Sequence, residues 1–554
     1  TAVLLGHTLD DQAETVLLGL ARGSGSASLQ GMAQRTGLYL RPLLGILRAT
    51  TVQFCADSGL DPWSDPQNGD DAFARVRVRA TVLPVLENEL GPGIAEALAR
   101  TAEQLREDSA ALDHFAEEQV EELAEHAEAG ISLPVKALAA GHQFRAADVD
   151  VIFLHVTTYA LSSTVLPVVQ RAKVPVAILN LAPAAAIDYA KFNLLNDRTA
   201  MTGEWLAFCA ACPVPEIANV FRRARIDFHQ VTGMLHDDPV CWKEVDAWIE
   251  AARVAHTMFH NRLGLMGHYY GGMLDIYSDT TLQCATFGGH MEIVEVDELA
   301  ALRREVSVKQ IRERVAKFKK VLAVQAGCSL AELERAAKTS VALDRLVKEH
   351  SLGSLAYYYM GTGNAENADA ISSIILGNSL LTARGIPVAG EYEVKNVQAM
   401  KIMDTFGAGG SFTEYYALDF ADDVVLMGHD GPGHIAIAQG KTKVRPLKVY
   451  HGKVGGGLSV EMSVKHGPVT LLSVVETADG KLKLLVAKGE SVPGPILEIG
   501  NTNSRYRFRI GARQFVNEWN ASGPAHHCAI GVGHIAHKLE KLGLLLGLET
   551  VRVC

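Results

Sequence analysis

Asp422-Asp423-Val424-Val425-Leu426-Met427-Gly428-His429-Asp430-Gly431-Pro432-Gly433-His434 is a short apolar run that ends in His and Asp between glycines. A run of this length bounded by turn residues predicts a buried strand, whose terminal polar residues are delivered to one rim of a sheet. The segment Gly409-Gly410-Ser411-Phe412-Thr413-Glu414 precedes it, and the same half of the chain carries Glu391 and the pair His526-His527. Carboxylates and imidazoles on separate, Gly-flanked segments suggest a mixed oxygen and nitrogen metal site.

The 554 residues are too many for one core and predict roughly three or four domains. Hydrophobic content of 48% with 21% charged residues is that of a globular protein in water. A formal charge of -11 argues against broad nucleic-acid binding while leaving room for a local basic patch, and tRNA is not an expected partner. No apolar run is long enough to cross a bilayer and no signal peptide is visible, so a cytoplasmic location without membrane contact is expected. The eight cysteines are scattered. Cys209-Ala210-Ala211-Cys212 alone has a suggestive spacing; a single CxxC is a weak zinc or redox signal, and here it follows Glu204-Trp205-Leu206-Ala207-Phe208, which reads as helix packing.

Residues 1–143 combine a strand, Ala2-Val3-Leu4-Leu5-Gly6, with helical stretches. The acidic segment Thr101 to Glu128 has Leu105, Leu112, Phe115, Val120 and Leu123 at helical spacing. The texture then changes to the apolar runs Val151–Val156 and Val174–Leu181, separated by a helical interval, the rhythm of a parallel sheet. A long basic amphipathic helix is expected from about Asp297 to Val324, its charges a solvated face. Beyond Lys441, strands and turns dominate, with an Asp479-Gly480 hairpin and a closing helix near His534 to Leu546.

Two carboxylates with one or two imidazoles suit a hard octahedral ion such as Mn²⁺ or Mg²⁺, whereas structural zinc takes thiolates or more imidazoles. Such an ion can bridge neighbouring sugar oxygens and polarise a carbonyl while two glutamates serve as acid and base, the equipment of an aldose-ketose isomerase. Gly390 before Glu391 is read as allowing close backbone approach. Over about residues 144–554 the chain resembles the L-arabinose/L-fucose isomerase family, through Ala389-Gly390-Glu391, Gly410-Ser411-Phe412-Thr413-Glu414, Met427-Gly428-His429 and Ala525-His526-His527. The resemblance implies that Glu391, Glu414, His429 and His527 bind Mn²⁺, and that Glu391 and Glu414 are catalytic through an enediol, with a metal-assisted hydride shift as the variant. The substrate is then a pentose or 6-deoxyhexose. Met273, in Gly267-His268-Tyr269-Tyr270-Gly271-Gly272-Met273, looks like the family's sugar-lining methionine. His268, His434 and His526 are further candidates for substrate contact. The resemblance also implies a homo-oligomer, and a flavodoxin-like first domain that this chain enters partway, at about Asp148.

Gly6-His7-Thr8-Leu9-Asp10-Asp11-Gln12 places His and acids after a strand and at the start of a helix, where α/β sheets hold nucleotides and metals. With Arg22-Gly23-Ser24-Gly25, Arg41-Pro42, Asp65-Pro66-Gln67-Asn68 and Arg75-Val76-Arg77-Val78-Arg79, residues 1 to about 140 resemble tRNA(Ile)-lysidine synthetase. His7, Asp10 and Asp11 are then candidates for nucleotide binding. That family's Ser-Gly-Gly-x-Asp-Ser phosphate loop is expected upstream of Thr1, and ATP is expected as a cofactor only if this segment functions.

The fold expected is α/β multidomain: a truncated synthetase-like α/β-plus-helical fragment (1–143), a partial flavodoxin-like parallel-sheet domain (144–260), an α/β middle domain (261–407) and a β-rich C-terminal domain (408–554). The function expected is a metal-assisted aldose-ketose isomerase. The alternatives are an ATP-dependent tRNA(Ile)-lysidine synthetase fragment or an inactive join of two gene fragments.

Overall fold

The run Val424–His429 forms a strand buried along its whole length. It pairs antiparallel with Ser411–Asp419 on one side and Thr502–Arg507 on the other. Gly428 is dictated by this packing, because a Cβ there would meet the Thr502 carbonyl oxygen at 1.9 Å. Ser411–Asp419 pairs with Cys528–Val532, and Gly467–Glu476 with both Cys528–Val532 and Leu482–Val492. Leu482–Val492 in turn pairs with Thr502–Arg507, which closes a six-stranded barrel and removes its open edges. Glu549–Arg552 adds in parallel to Leu482–Val492.

Side-chain alternation explains why these strands read as continuous apolar runs. Val469, Leu471, Val475, Leu485 and Ala487 pack with Val425, Met427, Phe515 and Trp519. The intervening Leu472, Val474, Leu484 and Val486 pack with Val397, Met400, Leu539 and Leu542. Both faces are covered, so neither carries a polar stripe. The Asp479-Gly480 turn joins Gly467–Glu476 to Leu482–Val492, with Gly480 at φ 70°.

The computed structural model describes residues 2–21, 29–63, 65–107, 126–127, 130–131, 134–361, 363–450 and 453–554. They fall into two compact units, Thr1–Gln143 and Phe144–Cys554. Within the second, Ile152–His155, Val176–Ala182 and Phe228–Met234 form a parallel sheet. A four-stranded parallel sheet follows, ordered His290–Val294, Arg262–Gly267, Ser354–Tyr358, Val388–Ala389. Ala323–Val324 joins Lys443–Tyr450 and Lys453–Glu461, so residues 261–407 and 408–554 share a sheet. The chain is therefore multidomain α/β with parallel sheets and a C-terminal barrel. No described helix is long and apolar enough to cross a membrane.

Two expected helices are corrected. The span Asp297 to Val324 holds two, Val296–Arg304 and Val308–Val321, because Ser307 caps the second: it accepts from Gln310 N–H, and the Gln310 side chain accepts from Ser307 N–H. The first helix ends at Arg304 with Glu305 as its C-cap, and this capping box starts the next. The acidic segment does not run helical to Glu128, since His126–Ala127 pairs antiparallel with Gly130–Ile131. Leu112, Phe115, Val120 and Leu123 lie outside the described residues, as does Arg22-Gly23-Ser24-Gly25.

Candidate metal centre

Barrel register assembles three of the expected ligands at one rim. Glu414 is paired with Gly428, the neighbour of His429. Thr413 is paired with Cys528, the neighbour of His527. One step along each strand therefore sets Glu414 between His429 and His527. His527 precedes a strand rather than the closing helix, which begins only at Ala536.

Glu391 comes from the parallel sheet. It follows Val388–Ala389, at the carboxyl end of a parallel strand, where open α/β sheets place ligands. Glu391 and Tyr392 both sit in the left-handed region, at φ 57° and 62°, before the helix Val394–Thr405. A Cβ on Gly390 would meet only ordinary contact, 3.5 Å from the Phe412 ring. The unusual backbone thus falls on the glutamate itself and not on the glycine before it, a strained conformation of the kind found at functional sites.

Glu391, His526 and His527 offer ligand atoms within 4.8 Å of one another, and so do Glu414, His429 and His527. His527 belongs to both sets. Its Nε2 is 3.5 Å from Glu391 Oε2, His526 Nε2 is 3.6 Å from the same oxygen, and His429 Nε2 is 3.9 Å from Glu391 Oε1. Glu391 Oε2 is buried without a hydrogen-bond partner among the described residues. The far nitrogens are held by acceptors. His429 Nδ1 donates to the Asp430 carbonyl at 2.6 Å, His527 Nδ1 faces Glu393 Oε2 at 3.4 Å, and His526 Nδ1 faces Asp275 Oδ2 at 2.6 Å. Acceptors at Nδ1 leave Nε2 to face the shared space, the orientation that metal-binding imidazoles are given. Phe412 packs against both His429 and His527, with 4.3 Å between centroids in each pair, while the two imidazole centroids are 5.1 Å apart. This donor set fits a divalent cation.

The charges differ between the carboxyls. Burial pushes Glu391 up, but His526, His527 and His429 outweigh it and hold it at about 2. Burial lifts Glu414 to about 7, with Glu391 and Asp430 pushing the same way and His526 opposing. Burial lowers His526, yet Glu391 and Asp275 carry it up to about 9. Glu393, fully enclosed, is raised by burial to about 8 against the pull of Lys395 and His526. Two carboxyls pushed apart in this way are suited to different proton roles. A cavity of about 370 Å³ opens beside them, lined by Asp275, Glu414, Tyr415, Trp519, Asn520 and His526.

The other expected substrate contacts are not among these metal-ligating groups. His268 uses both ring nitrogens on backbone, Nδ1 donating to Tyr269 O at 2.8 Å and Nε2 accepting from Met360 N–H at 3.3 Å. His434 is buried, its Nε2 facing Asp404 at 3.3 Å. Met273 is half-buried just before the short turn Leu274–Ile276. None of the three joins either ligand set. His526, expected only to touch substrate, joins one. Asp275, Glu393 and Lys395 escaped the sequence reading. Buried Lys395 donates to the carbonyls of Asp275 at 2.7 Å and Tyr277 at 3.0 Å, and stands 3.8 Å from Glu393. It ties the Asp275 turn to the segment that carries Glu393.

In the first unit, the expected nucleotide-binding acids are engaged by protein. Asp11 accepts from Thr8 N–H and Oγ1, each at 2.8 Å, and pairs with Arg48 at 2.6 Å. Asp10 accepts from Arg48 N–H at 2.7 Å. His7 Nδ1 is buried with no partner among the described residues. The fully buried acid is Glu14, bound by Arg79 at 2.7 Å, Arg75 at 3.3 Å and Arg48 at 3.4 Å. Its position one turn beyond Asp10 and Asp11 on the same helix was the available signal.

Two family models match separate parts of the chain: the PP-loop domain over residues 1–86, and the L-arabinose isomerase C-terminal domain over residues 409–549. The chain thus carries a PP-loop segment and an arabinose isomerase C-terminal segment, both from enzyme families. Among individual proteins, the tRNA(Ile)-lysidine synthase of Leifsonia xyli subsp. xyli is 69% identical over 140 residues, 25% of this chain and 42% of that protein. That of Rhodococcus erythropolis is 64% identical over 115 residues, 21% of this chain and 35% of that protein. The chain therefore spans well under half the length of these relatives.

Proposed function

We propose that Glu391, Glu414, His429 and His527, with His526 beside them, hold a divalent cation in an aldose-ketose isomerase acting on a pentose or 6-deoxyhexose. The observation that carries this reading is the convergence of five donors from four separate segments, with His527 common to both ligand sets. The match of residues 409–549 to the arabinose isomerase C-terminal domain supports it. A cation bound here would supply Lewis-acid polarisation of neighbouring sugar oxygens. Glu391 and Glu414 then move the proton between C1 and C2; Glu414 lines the cavity together with Trp519 and Asn520, and Glu391 stands behind His526 of the same cavity, 3.6 Å from its Nε2. His526, held by Asp275, orients a sugar hydroxyl at the same opening. The purified chain should bind Mn²⁺ or Mg²⁺ and interconvert a member of a panel of pentoses and 6-deoxyhexoses, with loss of turnover on chelation. Absence of metal binding, or binding indifferent to Glu414→Ala, would overturn the assignment.

A second reading attaches to residues 1–143. Their 69% identity to a tRNA(Ile)-lysidine synthase favours a part in ATP-dependent tRNA modification. Incubation with ATP, labelled lysine and tRNA tests it: lysine incorporation supports the reading, and none removes it.

A further inference from the structure

Cys209-Ala210-Ala211-Cys212 has no part in the metal centre. Its sulfurs stand 2.6 Å apart, inside van der Waals contact. The chain there is a 3₁₀ turn, Cys209–Ala211, with Cys212 N–H donating to the Cys209 carbonyl at 3.2 Å. Such a turn has about three residues per revolution and rises about 2 Å per residue, so residues i and i+3 eclipse at roughly 6 Å between Cα atoms. That lies within the range of about 4.4–6.8 Å that a disulfide spans, so closure needs little backbone movement. The two thiols differ in access: Cys209 is fully buried and Cys212 is exposed. Among the described residues neither cysteine belongs to a set of metal-ligating groups. The pair is therefore placed for sulfur-sulfur chemistry.

We propose that Cys209 and Cys212 form a redox-active dithiol that closes reversibly to a disulfide by exchange with a small-molecule disulfide. Cys212, the sulfur within reach of solvent, loses its proton and attacks one sulfur of the oxidant. The oxidant's S–S bond breaks, one thiolate leaves, and a mixed disulfide remains on Cys212. Cys209 then loses its proton and attacks the Cys212 sulfur, forming the internal bond and expelling the second thiolate. Two electrons pass from the cysteine pair to the oxidant, and the two cysteine protons end on the two released thiols. A reduced thiol pool runs the sequence backwards.

The full chain, equilibrated in graded mixtures of reduced and oxidised glutathione, is quenched with an alkylating agent and mapped by peptide mass spectrometry. The expected result is joint loss of both alkylatable thiols, the peptide becoming two hydrogens lighter than the dithiol, with recovery in excess reduced glutathione. Cys209→Ser should stop at a glutathione adduct on Cys212, and Cys212→Ser should leave Cys209 unoxidised. The proposal is overturned if the unaltered chain keeps two alkylatable thiols at every ratio, or if it accumulates the same Cys212 adduct as Cys209→Ser. The titration of the unaltered chain decides the matter whether or not the variants fold.

Discussion

At the scale of single residues, each candidate ligand is only as useful as the group behind it. Glu393 stands behind His527, and Asp275 behind His526. Removing such an outer partner typically weakens metal affinity about 10–100-fold while leaving the ligands in place. Glu393→Gln is therefore expected to weaken Mn²⁺ binding, measured by calorimetry, by about that factor, and Asp275→Asn to weaken it less, because His526 joins only one of the two ligand sets. Unchanged affinity in Glu393→Gln would remove its orienting role. The candidate ligand types were legible in the sequence because Glu, Glu, His and His are flanked by glycines and strand-like runs. Asp275 was not, since it sits 251 positions from His526 and no local spacing links them.

At the scale of elements, the site depends on how closely two barrel strands approach. Gly428→Ala would push the strand that carries His429 away from Thr502. A loss of about 1–3 kcal/mol in unfolding free energy is expected from the overpacking, with weaker Mn²⁺ binding in the same protein. A variant as stable as the parent would refute the close approach. Another element supplies a pH dependence. His350 caps the helix Leu330–Glu349 and faces Glu298 at 2.8 Å and Glu292 at 3.3 Å. Burial pulls its pKa down, but the two glutamates outweigh burial and the net shift is upward. A raised folded value means that the stabilisation is fully present below the unfolded value of about 6.5 and is lost as pH rises through the folded value. The difference in Tm between the parent and His350→Gln should thus be largest at mildly acidic pH and shrink on going alkaline. A difference constant with pH would exclude the charge pairing. The barrel strands were readable because both faces are apolar, whereas the break at Ser307 was missed: helical spacing continues across it, and only the Ser307-Gln310 capping box reveals the second start.

At the scale of the whole molecule, two compact units predict two unfolding events. Glu14 is enclosed by Arg48, Arg75 and Arg79, and removing one member of such a group leaves the other charges uncompensated. Glu14→Ala should cost about 3 kcal/mol in the transition of residues 1–143 and leave the second transition unmoved in a calorimetric scan. Displacement of both transitions together would mean that the units unfold as one. The amino-acid sequence by itself determined the two segments of different kinship, the apolar strands of the barrel and the donor types at the centre, because these depend on residue identity and short-range periodicity. Only the tertiary structure decided which imidazoles meet: it drew His526 towards Glu391, set His434 against Asp404 and tied His268 to backbone. The physical reason is that a side chain's partner is chosen by strand register and by turns distant in sequence. The two candidate ligand sets meet at His527 only because the barrel closes beside the end of a parallel sheet.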